Sequence, residues 1–210
     1  MKGLILKDLI TLKTYGKSLL LIFILFLFIG ASSGSPLSGA MLVMPIAIMA
    51  SFVTFSYDKY SNWDCYACTL PVNRNEIVKA RYVVTFILCL LFLAFSLLSY
   101  TCLSLFMHNF SEASFLLPLY SILFGFVTIL ASIILTLNYK LGLDKARIAL
   151  ILIFILPSIL TAFLTQSQLT MPIISEHMIL LAATLLPIAA MLFLLLSYFI
   201  SVRIYNQKEF

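Results

Sequence analysis

Six long apolar segments, separated by short polar ones, constrain the fold of this chain more than any other feature. They fall at 17–31, 38–57, 81–107, 115–139, 147–165 and 179–202. A transmembrane helix needs about 20 predominantly apolar residues, and in lipid it must satisfy its own backbone hydrogen bonds. The sequence therefore predicts an all-α integral membrane protein with six transmembrane helices, and a single transmembrane domain covering residues 1–210.

The distribution of charge predicts the orientation of these helices. Charged residues are 10% of the chain, against about 25% in a typical soluble domain, and they lie in loops or at segment ends. All 13 Lys and Arg fall on one side if six helices cross the membrane. Positive charge marks the cytoplasmic side, so we expect both termini in the cytoplasm. The net charge of +5 is then a signal of topology and not of a nucleic-acid partner.

The first sixteen residues predict an amphipathic helix lying on the membrane surface. At 100° per residue, Ile5, Leu9 and Leu12 fall on an apolar arc, and Lys7 and Asp8 fall on the opposite arc. An apolar arc of this kind lies in the headgroup boundary with its charges facing outward. We expect the lysines of this interface helix, 1–16, to face anionic lipid or a partner, and its candidate site residues are Lys7 and Asp8.

The longest polar stretch, 58–80, lies between the second and third apolar segments and is predicted to be cytoplasmic. A short helix begins at Ser61 or Asn62, whose side-chain oxygens suit the first turn of a helix, and ends at Leu70 before Pro71. Asn73, with Glu76 three residues later, forms a capping-box pattern that predicts a second helix. By its charge alone this stretch is equally typical of a solvated connector.

The residues of this loop resemble a known family. Asp58 and Lys59, Trp63 and Tyr66, followed by TLPVNR at 69–74 and EIVKARY at 76–82, resemble the first cytoplasmic loop of small bacterial type-2 ABC exporter permeases. That six-helix family includes the membrane subunits of phenol-soluble-modulin exporters. Cys65 and Cys68 depart from its pattern. Their spacing is typical of half a zinc site, but no second pair or nearby His completes one.

The resemblance implies how the protein works. A cytoplasmic coupling helix would dock on a separate ABC ATPase, which binds ATP and Mg, so this chain needs no cofactor of its own. Two ATPase subunits and two permease copies, identical or paralogous, would assemble in the bacterial plasma membrane. ATP binding would close the ATPases, push on the coupling helix and expel cargo. The coupling residues it implies are Asn62, Trp63, Asp64, Tyr66, Leu70 and Pro71.

The cargo and the alternatives follow from what the sequence lacks. No acidic residue lies inside a predicted span, whereas ion-driven carriers generally need one near the midplane. The resemblance implies export of amphipathic or hydrophobic peptides of the toxin or antimicrobial type; lipids or drugs would suit an uncharged path equally well. A non-transporting scaffold is the alternative from another class. A lipid-modifying enzyme would need an acid–base or metal cluster that the sequence does not display.

Overall fold

A computed structural model describes residues 2–32, 34–69, 73–108, 116–166 and 176–207. These ranges contain eight helices and no strand. The helices are α1 (Lys2–Ser32), α2 (Pro36–Met41), α3 (Ile46–Tyr60), α4 (Trp63–Thr69), α5 (Arg74–Met107), α6 (Leu116–Leu141), α7 (Leu143–Gln166) and α8 (Glu176–Asn206). The prediction of an all-α protein is therefore confirmed for this part of the chain.

Four helices in the described ranges are long and apolar enough to cross a membrane. They are α1, α5, α6 and residues 177–206 of α8. The predicted fifth segment coincides with α7, which has 24 residues. The predicted second segment is divided between α2 and α3, of which α3 has 15 residues. A membrane protein is confirmed, and the count of six spanning helices stays a prediction.

Helix α1 differs from the prediction in two ways. The interface helix, 1–16, and the first span, 17–31, form one continuous helix of 31 residues, about 46 Å long at 1.5 Å per residue. At Gly16 the helix simply continues, and no atom outside it lies within 4 Å of the position of a Cβ. The predicted outward direction of Asp8 is also wrong, because Asp8 is buried while Leu6 and Ile10 are exposed.

Pro45 predicts a kink in the second apolar segment, and the structure shows a complete break between two helices there. Pro45 has no N–H to donate to the preceding turn, and it forms the N-terminal boundary of α3. The four residues between α2 and α3 are held by short-range bonds such as Met44 N–H to Met41 O, 3.4 Å. Val43 and Met44 are fully buried. Irregular backbone is tolerated at membrane depth where protein covers it, as it does here.

Helices α6 and α8 pack most closely of all the helices. At Gly125 the backbone of Leu186 approaches so near that an added Cβ would lie 2.9 Å from its carbonyl carbon. In the C-terminal half of α8, the hydroxyls of Ser197 and Ser201 contact the Tyr82 hydroxyl of α5 at 2.6 and 2.7 Å. Small residues and hydroxyl bonds are the usual means by which helices associate in lipid. The opposite face of α8 carries exposed apolar side chains such as Phe199.

Candidate functional site

A short helix, α4, occupies the place of the predicted coupling helix directly after α3, and its coupling role stays a prediction. The chain turns at Asn62, which adopts the left-handed conformation with φ 47°, and its carbonyl accepts a hydrogen bond from Tyr66 N–H at 3.3 Å. The Ser61 hydroxyl instead closes the end of α3 by donating to Tyr57 O, 2.9 Å. Asp64 lies within α4, but its side chain is not among those described. Leu70 and Pro71, and with them the predicted kink, lie outside the described residues.

The first turn of α5 ties the loop to the end of α8. The helix begins at Arg74 after Asn73, as the sequence predicts, but the Asn73 side chain makes no capping bond, so this half of the predicted capping box is wrong. Arg74 donates to the carbonyls of Tyr205, 3.5 Å, and Asn206, 3.3 Å. A cation is favourable at the carboxyl end of a helix, where unpaired carbonyls gather. The C-terminus of α8 is thereby held beside α4 and α5.

A largely buried network of four charged side chains joins α1, α3 and α5. It consists of Lys7, Asp8, Asp58 and Arg81, which we call the ion network. Arg81 binds Asp58 through one terminal nitrogen, and its other terminal nitrogen lies 3.1 Å from Asp8. Lys7 lies 2.7 Å from Asp58 and 3.2 Å from Asp8. Every cation therefore faces both carboxylates, and the four formal charges cancel.

The centre of the ion network is shielded from solvent, while 24% of the Lys7 side chain and 12% of the Asp58 side chain are exposed. Only 3% of Asp8 and 5% of Arg81 is exposed, and the Arg81 guanidinium lies over the Phe55 ring at 4.6 Å from its centroid. Removing one partner from such a buried set costs about 3–5 kcal/mol, because a desolvated charge is left unpaired. The network therefore holds α1, α3 and α5 in one arrangement at this end of the bundle.

The sequence did not reveal the ion network. The loop pattern contains Asp58 and Arg81, and the helical pattern of 1–16 places Lys7 and Asp8 on its polar arc, but these four residues lie on three different helices. Asp58 and Arg81 are 23 positions apart, and Lys7 and Asp58 are 51 apart. The available signal was an acidic residue, Asp8, within an otherwise apolar and basic helix.

Helix α4 rests on the ion network through Trp63. The Lys7 ammonium lies 4.1 Å from the centroid of the Trp63 ring, a cation–π distance. Ala67, one turn further along, is buried, so Trp63 and Ala67 form the inner face of α4. Tyr66 lies on the outer face, 56% exposed, with exposed Cys65 beside it. Of the two predicted aromatic anchors, one faces its own chain and the other faces outward.

A cavity of about 510 Å³ lies between α4 and the loop that joins α6 to α7. Asp58 and Arg81 line it, so the ion network forms part of its wall. At its rim Lys59 and Asp144 form an ion pair at 2.5 Å. The hydrogen bond and charge of Lys59 hold the pKa of Asp144 below its ordinary value. This pair connects α3 to α7 across the cavity.

The described residues contain no group of three His, Cys, Asp or Glu side chains that could hold a metal ion. Cys65 is a free, exposed thiol. The side chain of Cys68 is not described.

The sequence matches a known family of membrane proteins. Residues 3–206 match the family described as ABC-2 family transporter protein. The chain belongs to that family, and it is a membrane subunit of an ABC transporter; membership implies that it works with an ABC ATPase. No curated protein and no solved structure matches the chain.

Proposed function

We propose that this chain is the transmembrane subunit of a bacterial exporter, powered by a separate ATPase that docks on α4, and that it moves amphipathic or hydrophobic peptides of the toxin or antimicrobial type. The subfamily is the small six-helix one that includes the phenol-soluble-modulin exporters. The observation that carries the proposal is the position of α4, whose outer face is exposed and whose inner face contacts the ion network.

Coupling would run from α4 into three helices at once. A push on α4 displaces Trp63, which contacts Lys7 of α1. Lys7 and Arg81 share Asp58 at the end of α3, so α1, α3 and α5 respond together. Packed cores and interfaces switch between discrete arrangements and do not deform gradually. The ion network would then transmit closure of the ATPases to the membrane-spanning part of the protein.

Two permease copies would enclose the path of the cargo, as an identical or a paralogous pair. The exposed apolar faces of α1 and α8 supply surface both for lipid and for such a contact. Both termini are expected in the cytoplasm of a cell whose plasma membrane holds the complex. Reporter fusions after Ser35 should read as outside and those after Gly142 as inside; a reversed reading at Gly142 would remove the basis for docking.

Tyr66→Ala tests docking on the outer face of α4. Exposed tyrosines anchor interfaces with little entropic cost, and a hot-spot residue contributes about 2 kcal/mol, roughly 30-fold in Kd. Tyr60→Ala is the matched control, because Tyr60 is 88% exposed but belongs to the last turn of α3. Affinity of the purified permease for its ATPase is the measurement. Equal effects of the two substitutions would refute docking through α4.

Cys65 offers an independent readout of the same contact. In a variant with Cys68, Cys89 and Cys102 replaced by Ser, the exposed Cys65 thiol should react with a membrane-impermeant maleimide in inside-out vesicles. Bound ATPase should slow that reaction strongly. Unchanged labelling in a complex known to be assembled would place the ATPase elsewhere.

The cargo is tested by stimulation of ATPase activity in the reconstituted complex. Amphipathic helical peptides should stimulate it, and peptides of the same composition with a scrambled apolar face should not. The permease alone should not hydrolyse ATP, since the partner carries that activity. If lipids or drugs, and not peptides, stimulate the ATPase activity, the proposed peptide cargo is wrong. If no ATPase is recovered with the chain, the scaffold alternative is favoured.

A further inference from the structure

A groove of about 450 Å³ opens on the side of the bundle between α1, α3 and α7. It lies on the far side of α3 from the cavity under α4 and shares no lining residue with that cavity. The proposed coupling mechanism does not use it. Its volume is within the range of about 300–1,000 Å³ that small-molecule sites occupy.

The two ends of the groove differ in chemistry. One end is lined by Tyr15, Ser18, Ser56 and Arg147, and the other by Ile22, Met49 and Ile151. Along α1 these ends are seven residues apart, about 10 Å at 1.5 Å per residue. Helix α3 runs antiparallel to α1 and α7 in this pattern, yet all three place their polar residues at the same end. The groove is therefore amphipathic along its length.

The polar end carries a positive charge. Arg147 has five N–H donors, and within the described ranges its one hydrogen-bond partner is the Ser56 hydroxyl, 2.9 Å away. The neighbouring carboxylate of Asp144 is hydrogen-bonded by Lys59, and the charge of Arg147 acts on it more weakly. Tyr15 and Tyr57 stack edge to face at 5.9 Å beside this end, which is typical of aromatic residues at a membrane boundary. The polar end thus lies at headgroup level and presents a cation and hydroxyls.

We infer that this groove binds an anionic phospholipid, with its phosphate at Arg147 and one acyl chain along the apolar lining. Guanidinium groups bind phosphate through paired hydrogen bonds, and the hydroxyls of Ser18 and Tyr15 supply further donors. The apolar end suits an acyl chain. Among the described residues, it has no polar lining residue that could bind a second charged group. The inference is independent of the transported cargo and of the ATPase.

Native mass spectrometry of the purified permease, titrated with phosphatidylglycerol or phosphatidylcholine, tests this. The chain should retain phosphatidylglycerol in preference, and Arg147→Gln should weaken that binding by about fivefold or more, the effect expected for one cation at an anionic surface. Lys145→Gln is the matched control, because Lys145 is an exposed cation on the same helix outside the groove. Equal losses in the two variants would overturn the site.

A second variant tests the apolar part of the groove. Met49 is exposed at the apolar end, so Met49→Trp should fill the groove, displace the acyl chain and weaken binding while the fold persists. Phosphatidylglycerol should also raise the unfolding temperature of the parent protein and not that of either groove variant. Unchanged binding of phosphatidylglycerol by Met49→Trp would overturn the inference. Disulfide cross-linking between two copies of an Ile151→Cys variant would also overturn it, because a second chain would then cover the groove.

Discussion

Arg81→Gln should destabilise the protein more than any other single charge removal in the described part of the chain. The substitution leaves Asp8 and Asp58, both largely buried, facing Lys7 alone. Breaking a buried ionic set by removing one partner costs about 3–5 kcal/mol. At an effective dielectric constant of 20, one charge pair near 4 Å contributes about 4 kcal/mol, which gives the same scale. That is a large share of a total stability of about 5–15 kcal/mol.

The matched control is Lys59→Gln. Lys59 and Asp144 also form a short ion pair, 2.5 Å, but their side chains are 55% and 73% exposed. Exposed pairs gain little because water solvates both charges. The Lys59 variant should therefore have nearly the same free energy of unfolding as the parent. Because both ion pairs are short, a difference between the two variants reports the effect of burial.

Equilibrium unfolding in mixed micelles measures both variants. The single Trp of the chain, Trp63, lies against Lys7 and gives a local fluorescence signal, while circular dichroism follows the helices. Adding Asp58→Asn to Arg81→Gln leaves Lys7 with one carboxylate instead of two, restores the balance of charge and should recover part of the lost stability. A double variant less stable than Arg81→Gln, or equal loss in Arg81→Gln and Lys59→Gln, would refute the electrostatic explanation.

Two further outcomes follow from packing and from charge. Gly125→Ala should cost about 1–3 kcal/mol of stability, because its Cβ would meet the Leu186 backbone, whereas Gly16→Ala, with open space around it, should be neutral or stabilising in the same unfolding assay. The pKa of the Asp144 carboxyl should lie below that of an ordinary aspartate. Its contribution to stability is therefore present above the ordinary pKa and lost as the pH falls through the lowered pKa. Followed by the chemical shift of the Asp144 carboxyl carbon, the midpoint of titration should move upward in Lys59→Gln.

The structure also changes what substitution of Trp63 would test. From the sequence, Trp63→Ala and Tyr66→Ala are equivalent losses of an anchor for the ATPase. Because Trp63 packs against Lys7, its removal should weaken the internal packing of α4 as well as any docking. Tyr66, exposed on the outer face, remains the cleaner probe of the partner.

The sequence by itself determined the class of protein and much of its local structure. The length and apolarity of the segments allow only helices in lipid. The loop pattern located α4 and the start of α5 at Asn73, and Pro45 marked where the second apolar segment is interrupted, because these depend on residues a few positions apart.

Only the tertiary structure decided which face of each helix points inward. In a soluble protein, an apolar arc identifies the side of a helix that faces the core. In a membrane, the lipid and the neighbouring helices are equally apolar, so the periodicity of α1 does not show which side faces the protein. The predicted apolar arc of α1 is divided, with Leu12 buried and Leu9 exposed, and Asp8, predicted to face outward, faces Arg81. Contacts between distant helices, such as that of Lys7 with Asp58, depend on how the helices assemble, and the order of residues along one helix does not encode them.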